Sequence, residues 1–203
     1  MTTKLMYSFL LLTGIAVINS SCGSTKKFVT TYYYQHEQAL NKIEENYKRF
    51  YAQKAFNIVF TDKAFSILTL ELKTDSLTYI YQFDVDEPRM IDTLKKYHKS
   101  AAGISNLIRQ MQSIHCIWIN NLDYYVDEQK KSMVFISIKP MASRSHFAYK
   151  KYCILSYFNQ PQYFDNEGRL LVKRKLRKIH TINGDIFRRI NDKICYTVSG
   201  RYR

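Results

Sequence analysis

Apolar and polar positions follow two different periods along this chain, and the changes of period divide it. Residues 5–18 (LMYSFLLLTGIAVI) are almost unbroken apolar. Over residues 30–53 the apolar stripe Tyr33, His36, Leu40, Ile43, Tyr47 and Phe50 recurs at spacings of three and four, which predicts an amphipathic helix. Glu37, Asn41, Glu44, Glu45 and Lys48 take its other side. The period then becomes two. AFNIVFT (55–61), AFSILTLELK (64–73) and LTYIYQFD (77–84) are rich in β-branched and aromatic residues, and short polar turns separate them. They predict an antiparallel meander.

Asp86, Glu87 and Pro88 open a second helical region, with proline inside the first turn and acids near the positive helix end. Ile91, Leu94 and His98 form one stripe; Ile104, Leu107, Ile108 and Met111 form another. Gly103 between them predicts a bend or two short helices. Strand patterns return in 115–120, 122–127, 132–139, 147–158 and 194–199, with a turn at 165–168 and a short helix expected around 185–191. Strands and helices do not alternate strictly, and several strand links are hairpin-sized. The expected fold class is therefore α+β, an N-terminal amphipathic helix packed on a mainly antiparallel β-sheet.

The start of the chain points to an address. The 5–18 run is shorter than the roughly 20 apolar residues a membrane-spanning helix needs. It follows Lys4 and precedes Asn19, Ser20, Ser21 and Cys22, the order of an export signal with small residues before a cleavage point. Residues 1–22 resemble a bacterial lipoprotein signal, in which small residues precede a cysteine that becomes the diacylated N-terminus; Asn19 stands where leucine is usual. The resemblance implies a lipid on Cys22 and attachment to a bacterial membrane. Gly23 follows the cysteine with no aspartate, which by the same resemblance implies the outer membrane. The alternatives are an ordinary secreted chain cleaved near Ser21 and an uncleaved anchor or false signal. On this reading residues 1–21 are the export signal, 22–29 a tether and 30–203 a single α+β domain. The tether reaches at most about 25 Å.

Composition adds little until the charges are placed. A hydrophobic fraction of 46% excludes a disordered chain, and 3 Pro and 6 Gly leave no linker-like tract. Residues 22–128 hold 13 Lys and Arg against 13 Asp and Glu, whereas residues 129–203 hold 17 against 4. An imbalance so confined predicts one basic surface. Its densest part, residues 169–178, carries six bases and no acid. Read as a strand, it sends Lys173, Lys175 and Arg177 to one side, as contacts for anionic lipid, glycan or an acidic protein. A helical reading, with Val172, Leu176 and Ile179 on one face, remains open. So does a solvated edge strand guarded by lysines. The envelope address argues against nucleic acid despite the high pI.

Candidate chemistry is sparse. His36, His98, His115, His146 and His180 form no metal-protease spacing, and no phosphate-binding loop, dinucleotide glycine pattern or nucleophile elbow occurs. Asp84, Asp86 and Glu87 fit helix capping better than a calcium loop. Asp123, Asp127 and Glu128 supply acids of the kind a glycosidase needs, and His146 with Cys153 a Cys/His pair without supporting local sequence. No cofactor or metal is implied. Cys116, Cys153 and Cys195 each sit in an apolar strand-like run, as core thiols or with two of them joined in a disulfide. The expected function is a non-catalytic structural or adaptor lipoprotein of the envelope. The alternatives are an accessory lipoprotein of a trans-envelope secretion machine and an enzyme acting on cell-wall or envelope glycan.

Overall fold

The computed structural model describes residues 2–126, 128–141, 151–175 and 177–200, with side chains described over 25–125, 128–138, 151–175 and 177–200. Helix α1 spans Thr2–Tyr51 and leaves helical geometry at His36 (φ −117°, ψ 16°). Residues 23–29 are thus helical in backbone. The chain divides into two units, Met1–Glu37 and Gln38–Arg203. In the first, the Tyr33 hydroxyl donates to Glu37 Oε1 at 2.9 Å, and the Tyr32 and His36 rings lie 4.6 Å apart.

The second unit contains the end of α1, with Leu40, Ile43, Tyr47 and Phe50 buried as their spacing requires. Tyr47 donates its hydroxyl to the Phe56 carbonyl at 2.7 Å. β1 (Phe56–Phe60), β2 (Ile67–Lys73) and β3 (Thr78–Asp84) form the expected meander. Asp62 holds the first turn, accepting from Ile67 N at 2.9 Å and from the Ser66 hydroxyl at 2.7 Å. α2 (Pro88–Lys96) and α3 (Ala101–Ser113) follow.

A bend or two short helices was expected at Gly103; two helices form, but the break falls at residues 97–100, where His98 takes a positive φ of 55° and Ser100 caps α3. Gly103 lies inside α3 instead. A Cβ there would meet Ser100 Oγ at 2.8 Å and Phe50 Cε1 at 2.7 Å, so the glycine serves close approach rather than a bend. The α2 stripe is also turned from expectation: Met90 and Leu94 are buried, while Ile91 is exposed.

β4 (Trp118–Val126), β5 (Gln129–Met141) and β6 (Lys151–Phe158) form a second meander. The two strands expected over 115–127 are one. The remaining elements are short: β7 (Tyr163–Phe164), β8 (Leu170–Leu171), β9 (Thr181–Ile182), β10 (Asp185–Ile186) and β11 (Arg188–Arg189), before the closing β12 (Ile194–Ser199). No helix forms at 185–191. Asn183 and Gly184 both have positive φ, 53° and 82°, and turn β9 into β10 as a two-residue hairpin.

Eight strands make one antiparallel sheet in the order β11-β12-β6-β5-β4-β1-β2-β3, and β9–β10 and β7–β8 are separate pairs. The α+β class with a large antiparallel sheet is therefore observed. Cross-strand pairing places Ile58 opposite both Leu70 and Ile119, and Ile136 opposite both Ile119 and Leu155, so one face runs buried through the sheet. The opposite face packs into a core over the C-terminal strands, with Val59 of β1 at its margin. There Trp118, Phe135, Ile154 and Phe158 gather with Leu170, Ile182 and Phe187 in one core.

Candidate functional site: an exposed basic loop

Residues 169–178 do not form the strand expected of them. β8 ends at Leu171, and a loop follows that closes on itself. Val172 N donates to the Lys178 carbonyl at 2.9 Å, Leu171 bridges Ile179, and His180 N donates to the Leu170 carbonyl at 2.7 Å. Leu170 N in turn donates to the Phe187 carbonyl at 2.9 Å, which ties the stem to the core. The local cause is compositional. Leu170 and Leu171 are buried anchors, whereas the next residues are nearly all cationic and stay in water.

Lys173, Arg174, Lys175, Arg177 and Lys178 are all exposed. Arg177 takes a left-handed φ of 47°, which breaks the alternation a strand requires. The three residues singled out from strand period are thus brought onto one loop, with Arg174 and Lys178 equally part of it. Leu176 lies outside the described residues. At the stem His180 is half-buried, and desolvation holds its imidazole below the usual histidine range.

The acids nearest in sequence are engaged. Asp165 accepts from Arg169 Nε at 2.6 Å and from Arg169 N at 2.7 Å. Burial raises its carboxyl, but the bonds and charge of Arg169 outweigh that and leave it below the usual range. Asp185 accepts from the Ser199 hydroxyl at 2.6 Å, and Asp192 pairs with Arg189 at 2.6 Å.

Among the described residues the other candidates do not converge. The side chain of Cys22 lies outside those described. Asp123 pairs with Lys130 at 2.8 Å, while Asp127 and His146 also lie outside the described residues. Asp86 pairs with Arg109 at 2.7 Å at a cleft of about 460 Å³, lined further by Ile91, Lys95, Ala102 and Ser105; Asp86 is the one carboxylate in that lining. Among the described residues no cluster of His, Cys, Asp or Glu could hold a metal ion, and no helix is long and apolar enough to cross a membrane.

Cys116, Cys153 and Cys195 are buried thiols, not disulfide partners. Burial pushes the Cys116 and Cys195 thiols well above their ordinary range. Cys195 faces Ser156 and Cys153 faces Val198 across the β6–β12 ladder, so pairing does not bring the two sulfurs together.

Lys99 was not singled out by any local sequence signal. It is 7% exposed, donates from Nζ to the Lys54 carbonyl, and lies 4.8 Å from the centre of the Phe56 ring. Burial, with the nearby Lys54 charge, pushes its ammonium down to about 8.

The chain matches no protein-family model, no curated protein and no solved structure.

Proposed function

We propose that this chain is a lipid-anchored lipoprotein of the bacterial envelope, on the outer membrane, in which Cys22 carries the lipid. Residues 1–21 are its export signal, 22–29 its tether and 30–203 its folded domain, with the amphipathic part of α1 packed on the sheet. It acts as a non-catalytic structural or adaptor component, and its basic C-terminal face meets an anionic partner.

The observation that carries this reading is the order at the N-terminus: Lys4, a short apolar run, two serines and a cysteine. The exposed loop of five bases supports the anionic partner.

Replacing the acylated cysteine tests the anchor. In cells, the Cys22→Ser chain is expected to leave the lipid-attached fraction and accumulate as unprocessed precursor or soluble protein. A Cys22→Ser chain processed and membrane-attached like the parent contradicts the proposal.

A further inference from the structure

We propose that the loop between Val172 and Ile179 is a bilayer contact, laying its basic tip on anionic phospholipid headgroups; this rests on the reading that the chain is held at a membrane through Cys22. Four features lead there.

The first is preorganisation. Both ends of the loop are fixed by the backbone bonds of Leu170, Val172 and His180, and the stem residues Leu170, Leu171, Ile182 and Phe187 are buried. The ends of the loop are thus already ordered before it meets a surface, which lowers the cost of contact.

The second is charge. Residues 169–184 contain no acid, and Asp185 just beyond is held by Ser199. A polybasic segment gains from the negative surface potential of an anionic leaflet, about fivefold in affinity for each base near it.

The third is direction. Gly168 bonds Arg189 and Leu170 bonds Phe187, so the chain leaving Leu171 runs toward the end of the sheet where Ser199 pairs with Tyr152. Exposed Lys151 stands beside that pair and adds a base at the same end.

The fourth separates a bilayer from a soluble polyanion. Tyr163, opposite Leu171, is 50% exposed, and Ile186, opposite Thr181, is 42% exposed. An amphipathic ring and an aliphatic side chain flanking bases suit the headgroup region, where apolar parts partition and charges stay wet. A glycan chain is matched by bases and rings alone and gives an exposed isoleucine nothing to enter.

The test is hydrogen exchange, read by mass spectrometry on peptides covering residues 170–182. The full-length lipidated chain is reconstituted into vesicles of phosphatidylcholine alone or phosphatidylcholine mixed with phosphatidylglycerol. Exchange in the loop is expected to slow in the anionic vesicles only, and to recover at high salt as the charges are screened. The Lys173→Gln, Lys175→Gln, Arg177→Gln triple variant is expected to need roughly a hundredfold more anionic surface for equal protection. Its β5 and β6 peptides should exchange as in the parent, which shows that the fold is intact.

Equal loop exchange in both vesicles, with the chain still floating with lipid, overturns the bilayer contact and leaves the anchor standing. A chain that does not float with neutral vesicles overturns the anchor, while slowing of the loop by added anionic vesicles still supports the contact. Protection by soluble polygalacturonate, with anionic vesicles without effect, assigns the loop to glycan and overturns the proposal.

Discussion

The two halves of the main sheet are built to different rules. In β1–β3 one face carries most of the buried side chains and the other is more open, and edge strand β3 buries only Phe83. β2 alternates regularly, with Leu68, Leu70 and Leu72 buried and the residues between them half-exposed. On the more open face Asn57, itself buried, donates to Glu71 at 2.9 Å, and Ile80 is 67% exposed. In β6, β12 and the stretch Met133–Ile138 of β5 both faces are covered. β6 is buried at every position after Lys151, because residues 159–193 fold back across the second face.

An alternating pattern marks a sheet with one covered face, and a continuous apolar run marks one with two. The difference also places the charge. The segment that covers the second face has buried anchors at Leu170, Ile182 and Phe187, and it extrudes its bases between the first two of them.

The largest test of this contrast removes one anchor. Phe187 is fully buried and stacks on Phe135 with ring centres 6.3 Å apart. Phe187→Ala is expected to cost about 3–5 kcal/mol in denaturant unfolding. Ile80→Thr on the open face should change stability by less than about 0.5 kcal/mol. Equal effects at the two sites erase the distinction between the halves.

The next concerns the buried charge over the N-terminal half. Lys99 is held at about 8 against an ordinary value of 10.5. Between those values the unfolded chain binds a proton that the folded chain has lost, so this group makes stability rise with pH across that window and adds no slope below it. The full change is on the order of 3 kcal/mol. Buried thiols and tyrosines act in the opposite sense, so the measured quantity is the stability of the parent minus that of Lys99→Met. That difference should climb from about pH 8 to 10.5; a flat difference means that Lys99 is solvated.

A smaller effect is expected at Gly103. Gly103→Ala pushes a methyl group against buried Phe50 and should cost about 1–3 kcal/mol. Combining it with Phe50→Leu should cost less than the sum of the two single changes, because the clash is shared. Strict additivity would show that the ring moves aside freely.

Legibility in sequence followed the same division. The meander β1–β3 could be read because one-sided burial writes a period of two into the chain. The buried stripe Ile104, Leu107, Ile108 and Met111 could be read because α3 is long enough to repeat its period. Residues 159–193 could not be, since their strands are two residues long and carry no period. The one strong local signal there was Asn183-Gly184, a hairpin dipeptide that argues against the helix expected at 185–191. The basic loop was visible as charge, but its shape was not. A strand reading grouped Lys173, Lys175 and Arg177 and left out Arg174 and Lys178, whereas the loop exposes all five. Lys99 gave no warning, because its burial depends on Phe56 and Lys54, over 40 positions away in the chain.

The proposal as a whole depends on the address, and the most direct measurement is the intact mass of the protein extracted from membranes. The expected species begins at Cys22 and carries the added mass of a diacylglyceryl group, with or without an amide-linked acyl chain. A chain that still begins at Met1, or one that begins at Cys22 or beyond without lipid, contradicts the account.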